Sequence, residues 1–282
     1  MVGTLYLCAT PIGNLEDITL RVLRVLKEVD LIAAEDTRNS MKLLNHYDIH
    51  TPITSYHEHN KRKKGQILVE KLLEGQDVAL ITDAGTPGIS DPGEDLAVLC
   101  HEQGIPVTAL PGAAACVTGL TLSGLPSRRF VFEGFLPMDT KERKLCLDRV
   151  KEETRTLVFY EAPHRLQRTL EELRQALGGE RKAALCRELT KLHETVNRAT
   201  LEGLIEQMAS QPPRGECVLV VEGKDYREIQ KEEQEKWEEF TLEEHMAYYE
   251  SQGYTKKDAM KQVAKDRGVG KRDVYQKLCV KE

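Results

Sequence analysis

The chain has 282 residues, 40% of them hydrophobic and 30% charged, with a formal net charge of −6. That length supports a well-buried core in two domains plus an appendage. No apolar run reaches the roughly 18 residues a bilayer span needs, and the start lacks the basic and apolar regions of a signal peptide, so a cytoplasmic protein without membrane contact is expected. The seven cysteines show neither a C-x-x-C pair nor zinc spacing, which reads as reduced core thiols and no metal site.

Along the chain, short apolar runs alternate with stretches of three-to-four-residue apolar spacing. The runs "TLYLCA", "LIAAE", "DVALIT" and "IPVTAL" fall within residues 1–112; "FVFEGF", "TLVFYE", "KAALCREL" and "ECVLVVEG" fall within 128–223. Segments such as "DITLRVLRVLKEV" and "HRLQRTLEELRQAL" lie between them. The alternation predicts the α/β class with largely parallel sheets: one α/β lobe over 1–112, a second over 113–225, and a cleft between them for a ligand.

The pattern changes over residues 226–282. "YREIQKEEQEKWEEF" reads as a charged linker helix, and three short helices follow, with Thr241, Thr255 and Gly270 near their starts. Residues 222–240 hold eight acids against four bases, whereas 254–282 hold nine Lys/Arg against four acids. A basic, helix-turn-helix-like module on an acidic tether suits a polyanionic partner. A solvated helical face or a dimerisation tail fits the same pattern.

Three loops follow predicted parallel strands: "ATPIGNLED", "DAGTPGISDPG" and "LPGAAA". Neither a G-x-G-x-x-G nor a G-x-x-x-x-G-K-[ST] string is present. The loop from Asp83 to Gly93 offers amides and carboxylates but no cation, which suits a neutral or cationic ligand such as S-adenosylmethionine better than a triphosphate. A structural turn capping the next helix from Asp91 or Gly93 explains that spacing equally well. Convergence of the three loops on the carboxyl edge of one sheet, where open α/β sheets bind ligands, favours the ligand.

The strings "LYLCATPIGNLEDIT", "AAEDTR", "SYHEHN", "LITDAGTPGISDPG", "ALPGAAA", "GFLP", "YEAPHR", "CRELTKLHE" and "RGECVLVVEG" together resemble the ribosomal small-subunit methyltransferase I family, the RNA-modifying branch of the tetrapyrrole methylases. The resemblance runs from about Thr4 to Gly223, and the basic helical tail is also similar to one many members carry. It implies S-adenosylmethionine-dependent 2′-O-methylation of a cytidine in 16S ribosomal RNA of the small subunit, near the decoding site, by a homodimer. It further implies that Thr86, Ile89 and Ser90 contact the cofactor, that Gly85 permits close approach, and that Pro11, Ala114, Ala115 and Tyr160 enclose it, with Glu216 near the second-lobe side. The chain departs from the family pattern at Arg198-Ala199, where Arg-Gly is expected, and at Lys61, where an acid is commoner.

A base should take the hydroxyl proton. Asp36, Glu58, Glu161 and His164 are candidates at strand or loop ends, and Glu58 and Asp36 are placed first. Arg38, Lys61, Arg62, His164, Arg165 and Arg187 are expected phosphate contacts. Two rivals remain at this point. One is a C-methyltransferase acting on a corrinoid-type tetrapyrrole, against which the basic runs argue. The other is a non-catalytic rRNA-binding assembly factor, against which the intact glycines of the loops argue.

Overall fold

The computed structural model describes residues 1–210 and 215–279. Arg214 of the "RGE" string and the last three residues of the basic tail lie outside the described residues, as does the side chain of Cys279. The chain divides into two compact units, residues 1–151 with 155–222 and residues 152–154 with 223–282.

The first unit holds two sheets. β1 (Leu5–Cys8), β2 (Leu31–Ala34), β3 (Ile53–Ser55), β4 (Val78–Ile81) and β5 (Val107–Leu110) form the first, in the order β3-β2-β4-β1-β5. Every pairing in it is parallel. Its connections run through α1 (Leu20–Glu28), α2 (Thr37–His46), α3 (Lys61–Leu73) and α4 (Gly93–Glu102).

Alternate residues of the strands feed opposite faces. Ile32, Ala34, Ala79 and Ile81 pack with Val22, Val25 and Leu26 of α1, whereas Ala33, Val78 and Leu80 pack with Leu68, Leu72 and Leu96 of α3 and α4. All four residues of β4 are buried, the continuous apolar run of a strand covered on both faces. α1 begins where Thr19 accepts the Val22 amide, and its buried residues recur at helical spacing.

The second sheet contains β6 (Phe130–Phe135), β7 (Thr156–Glu161), β8 (Lys182–Arg187), β9 (Thr195–Thr200) and β10 (Cys217–Val221), in the order β6-β7-β10-β8-β9. Here the expectation of a largely parallel sheet is corrected, because only β6 and β7 run parallel and the other three pairings are antiparallel. The reason is the insertion of β10 between β7 and β8. A crossover through α7 (Pro163–Leu177) keeps β7 and β8 in one direction, so the strand that fills the gap runs against both.

β3 and β9 are additions to the eight expected strands. α7 lays Leu166, Leu170, Leu173 and Leu177 on one face of this sheet with Leu201 and Leu204 of α8 (Leu201–Ser210). Burial of each such leucine contributes about 1.5–3 kcal/mol. α5 (Ala115–Ser123) covers the other face through Cys116 and Leu120. It approaches so closely that a Cβ on Gly119 would sit 2.7 Å from Val218 Cγ1. α6 (Thr140–Val150) links β6 to β7.

Six cysteines, all but Cys146 buried, are free thiols. Burial pushes the Cys8 and Cys217 thiols up to about 12, so they are inert core groups.

The second unit consists of α9 (Tyr226–Glu238), α10 (Leu242–Ser251), α11 (Lys256–Asp266) and α12 (Lys271–Cys279). Met246, Ala259, Met260, Val263, Ala264 and Val274 form its core. Thr241 starts α10 with a reciprocal capping box to Glu244. Among the described residues, no helix is long and apolar enough to cross a membrane.

Candidate active site

Parallel pairing brings the carboxyl ends of β1, β2, β4 and β5 to one edge of the first sheet. In the second sheet the antiparallel register Cys217↔Glu161 and Cys217↔Arg187 puts the end of β7, the start of β10 and the end of β8 together. A cavity of about 410 Å³ opens between these edges.

The loops are tied to one another. Thr10 and Gly85 exchange backbone hydrogen bonds at 2.9 and 3.1 Å, and the Thr86 hydroxyl donates to the Ala113 carbonyl at 2.9 Å. The Asp91 carboxylate accepts the amides of Gly88, Ile89 and Gly93 at 2.8–3.1 Å. The loop therefore wraps around Asp91, which also accepts the Gly93 amide at the start of α4. The Asp83–Gly93 stretch thus combines a turn closed on Asp91 with a lining of the cavity. Ser90 adopts φ +66° within it, a left-handed conformation unusual for a residue other than glycine.

Gly85, Thr86, Ile89, Ser90, Ala114, Ala115 and Tyr160 all line this cavity, as does Glu216. Pro11 does not; it lines a neighbouring cavity of about 520 Å³. Tyr160 is wedged by Phe132 and Phe135 at ring distances of 4.9 and 5.6 Å, and burial pushes its phenol well above the usual range.

Among the described residues the wall carries five carboxylates, Glu35, Asp83, Asp91, Glu161 and Glu216, and no lysine, arginine or histidine. Glu161 is buried and held by the Ala162 amide at 2.9 Å, the Thr169 hydroxyl at 2.5 Å and Arg165 at 3.4 Å. Arg143, itself buried, bonds Thr169 at 2.7 Å and Glu172 at 2.5 Å, so the end of β7 is braced against α6 and α7. Glu35 is different. Burial, and then the nearby charges of Asp83 and Asp91, push its carboxyl up.

The two acids placed first as bases lie elsewhere. Asp36 caps α2 through the Arg38 amide at 2.8 Å and pairs with the Arg38 guanidinium, which holds its carboxyl below the usual range. Glu58 is exposed and pairs with Lys61 at 2.8 Å, while Lys61 also meets Asp95 at 2.8 Å. Neither lines the cavity.

Of the expected phosphate contacts, Arg38, Arg62 and His164 are exposed. Arg165 is partly buried and donates to the Leu136 carbonyl at 2.7 Å, and Arg187 is partly buried at the end of β8. Glu35, Asp83 and Phe135 are cavity residues that the sequence reading did not single out. The signal available for Glu35 and Asp83 was their place one and two residues beyond the carboxyl ends of β2 and β4.

Residues 4–205 match the family model of tetrapyrrole (corrin/porphyrin) methylases. The chain is 50% identical over 273 residues to the ribosomal RNA small subunit methyltransferase I of Halalkalibacterium halodurans, covering 97% of this chain and 93% of that protein. It is 47% identical over 281 residues to the protein of that name from Bacillus subtilis, covering 100% and 96%.

Among solved structures, diphthine synthase superposes with a TM-score of 0.61 at 15% identity, covering 79% of this chain and 90% of that one. The uroporphyrin-III C-methyltransferase of Thermus thermophilus complexed with S-adenosyl homocysteine superposes with a TM-score of 0.56 at 19% identity, covering 78% and 97%. These two likenesses concern the fold. The chain belongs to the tetrapyrrole methylases, and within them to the ribosomal RNA small subunit methyltransferase I family.

Proposed function

We propose that the protein methylates small-subunit ribosomal RNA with S-adenosylmethionine as donor, at the 2′-oxygen of a cytidine near the decoding site, acting as a cytoplasmic homodimer. The observation that carries the cofactor is a cavity wall whose described residues include five carboxylates and no cationic side chain, which complements a sulfonium and repels a triphosphate. The names of relatives about half identical over nearly the whole chain support the RNA substrate.

The residues present fit the cofactor. Ala114 and Ala115 leave room for a flat ring, and Tyr160 and Phe135 give it an aromatic wall. Ala114, at the start of α5, makes no side-chain cap bond, and of the first-turn amides that of Cys116 is taken by the Tyr160 hydroxyl, which leaves the Ala115 amide to face a carboxylate. When bound, S-adenosylmethionine supplies an electrophilic methyl group whose transfer leaves a neutral thioether.

The protein's part is then to hold the hydroxyl oxygen in line and to receive its proton. We assign the proton acceptor to Glu35 over Asp36 and Glu58, because Glu35 faces the cavity with a raised affinity for protons, whereas Arg38 and Lys61 engage the other two.

The test is tritium transfer from labelled S-adenosylmethionine to small subunits from a strain lacking the protein, with Ser90→Arg beside the wild type. Label at one ribose 2′-oxygen, lost in the variant, is the expected result. Label on a base, or none, would overturn the reaction as stated.

A further inference from the structure

Beside the acid-walled cavity lies a second one of mixed charge. Its volume is about 520 Å³, and it shares Ile12, Thr82, Asp83, Ala84 and Glu216 with the first. Both of its acids belong to that shared wall. The lining it has to itself contains no acid and includes Lys42, His46 and Lys191.

Asn39, Lys42, Leu43 and His46 recur at three- and four-residue spacing, so one face of α2 forms a wall. Ser40, on the same wall, is 4% exposed, and its hydroxyl has no hydrogen-bond partner. Leaving a buried hydroxyl without a partner is costly, and such a group calls for an explanation. Lys42 reaches the Asn39 amide oxygen at 3.4 Å, while Lys191 is engaged by Glu188 and Glu216 at 3.1 and 3.3 Å. Lys42 is therefore the exposed cationic group at this wall, with the exposed imidazole of His46 one turn further along α2.

We infer that this second cavity is the seat of the acceptor nucleotide: a single nucleotide drawn out of its stack, with its phosphate toward Lys42 and His46 and its base edge toward Asn39 and Ser40. The inference rests on the methyl-transfer reading and adds the location of the RNA residue to it. Three observations carry it. The volume suits a nucleotide-sized ligand, since small-molecule sites run about 300–1,000 Å³. The charge contrast separates an anionic ligand from a cationic one across a common wall. Asp83 and Thr82, on that wall, bring the two ligands into contact range of each other.

The test measures binding of small ribosomal subunits in the presence of saturating S-adenosylhomocysteine, by filter retention at several salt concentrations. Lys42→Glu is expected to raise the subunit Kd at least tenfold and to flatten its salt dependence, while the Kd for S-adenosylhomocysteine stays at the wild-type value. Ser40→Ala is expected to weaken subunit binding with no fall in thermal stability, because the hydroxyl it removes makes no bond in the free protein. Unchanged subunit binding in both variants, or a loss of S-adenosylhomocysteine affinity in either, would overturn the assignment.

A benzophenone-bearing amino acid in place of Asn39 separates this inference from the reaction. An RNA adduct at a single nucleotide supports the seat even if no methyl label is transferred. Absence of any adduct sinks the seat even if methylation is confirmed.

Discussion

The Tyr160 phenol oxygen accepts the Cys116 amide at 3.0 Å, so a side chain at the end of a strand satisfies a first-turn donor of a helix whose own start, Ala114, makes no side-chain cap bond. Two walls of the cavity are fixed to each other by this bond. In Tyr160→Phe the ring still packs between Phe132 and Phe135, but the amide is orphaned beside the cavity. A stability loss of about 1 kcal/mol follows. Calorimetric titration with S-adenosylhomocysteine should show weaker binding, with the melting temperature lower by about 2–4 °C. Wild-type affinity in a correctly folded variant would mean that the hydroxyl only braces α5.

Gly85 makes a second prediction because its role can be divided. Its φ of +86° favours glycine, and a Cβ there would sit 3.3 Å from Ile12 Cγ2 and 3.4 Å from the Ala113 carbonyl. Gly104 has a φ of +66° with open space around it. Alanine at either position incurs the left-handed penalty of about 1–2 kcal/mol. Gly85→Ala should also weaken S-adenosylhomocysteine binding, and Gly104→Ala should not. Equal affinities in the two variants would remove Gly85 from the site.

The loops were legible in the sequence for a physical reason: glycines and prolines after short apolar strands mark where backbone must turn at a sheet edge. Gly85, Thr86, Ile89, Ser90, Ala114 and Ala115 meet in one cavity as that pattern implied. Direction within the second sheet was not legible, since apolar runs carry no sign of parallel or antiparallel pairing. β9 reads "TVNRAT", a polar edge strand without an apolar run, and β3 has three residues. The proposed base, Glu35, and the expected one, Asp36, differ by a single step beyond the end of β2. Consecutive side chains there point apart, so Glu35 enters the cavity while Asp36 turns away to cap α2. Pattern alone gave no means of choosing between adjacent acids.

Glu35 sets a pH dependence whose sign is fixed by its raised pKa. A carboxyl that holds its proton more tightly when folded contributes stability at low pH and loses that contribution as pH rises through its folded value. At pH 7.5 the ionised Glu35 therefore costs stability. Glu35→Gln is expected to melt higher than wild type at pH 7.5, with the difference shrinking toward pH 4, near the ordinary carboxylate value of about 4.3. The same variant should bind S-adenosylhomocysteine but transfer methyl groups at least 100-fold more slowly, since general-base catalysis typically supplies about 10²–10⁴. A variant that melts lower at pH 7.5, or that keeps its rate, would exclude Glu35 as the proton acceptor.

The helical unit carries its own titration, centred on His245. This histidine is fully buried, lies flat against Trp237 with ring centroids 3.6 Å apart, and is contacted by charged groups on both ring nitrogens. Arg267 donates to Nδ1 at 3.1 Å and Asp266 faces Nε2 at 3.3 Å, so the neutral ring carries its proton on Nε2. Tyr249 donates to the same Asp266 oxygen at 2.5 Å.

Burial, and then Arg267, lower the His245 pKa, with Asp266 opposing them. A depressed histidine contributes stability above its unfolded value of about 6.5 and loses it as pH falls. The chain has one tryptophan, and it is the residue stacked on His245, so its fluorescence reports this unit directly. The urea midpoint followed through Trp237 should fall between pH 7.5 and pH 5.5, and His245→Phe should abolish most of that fall. A midpoint independent of pH in the wild type would mean that Asp266 stabilises the charged ring as strongly as burial and Arg267 oppose it.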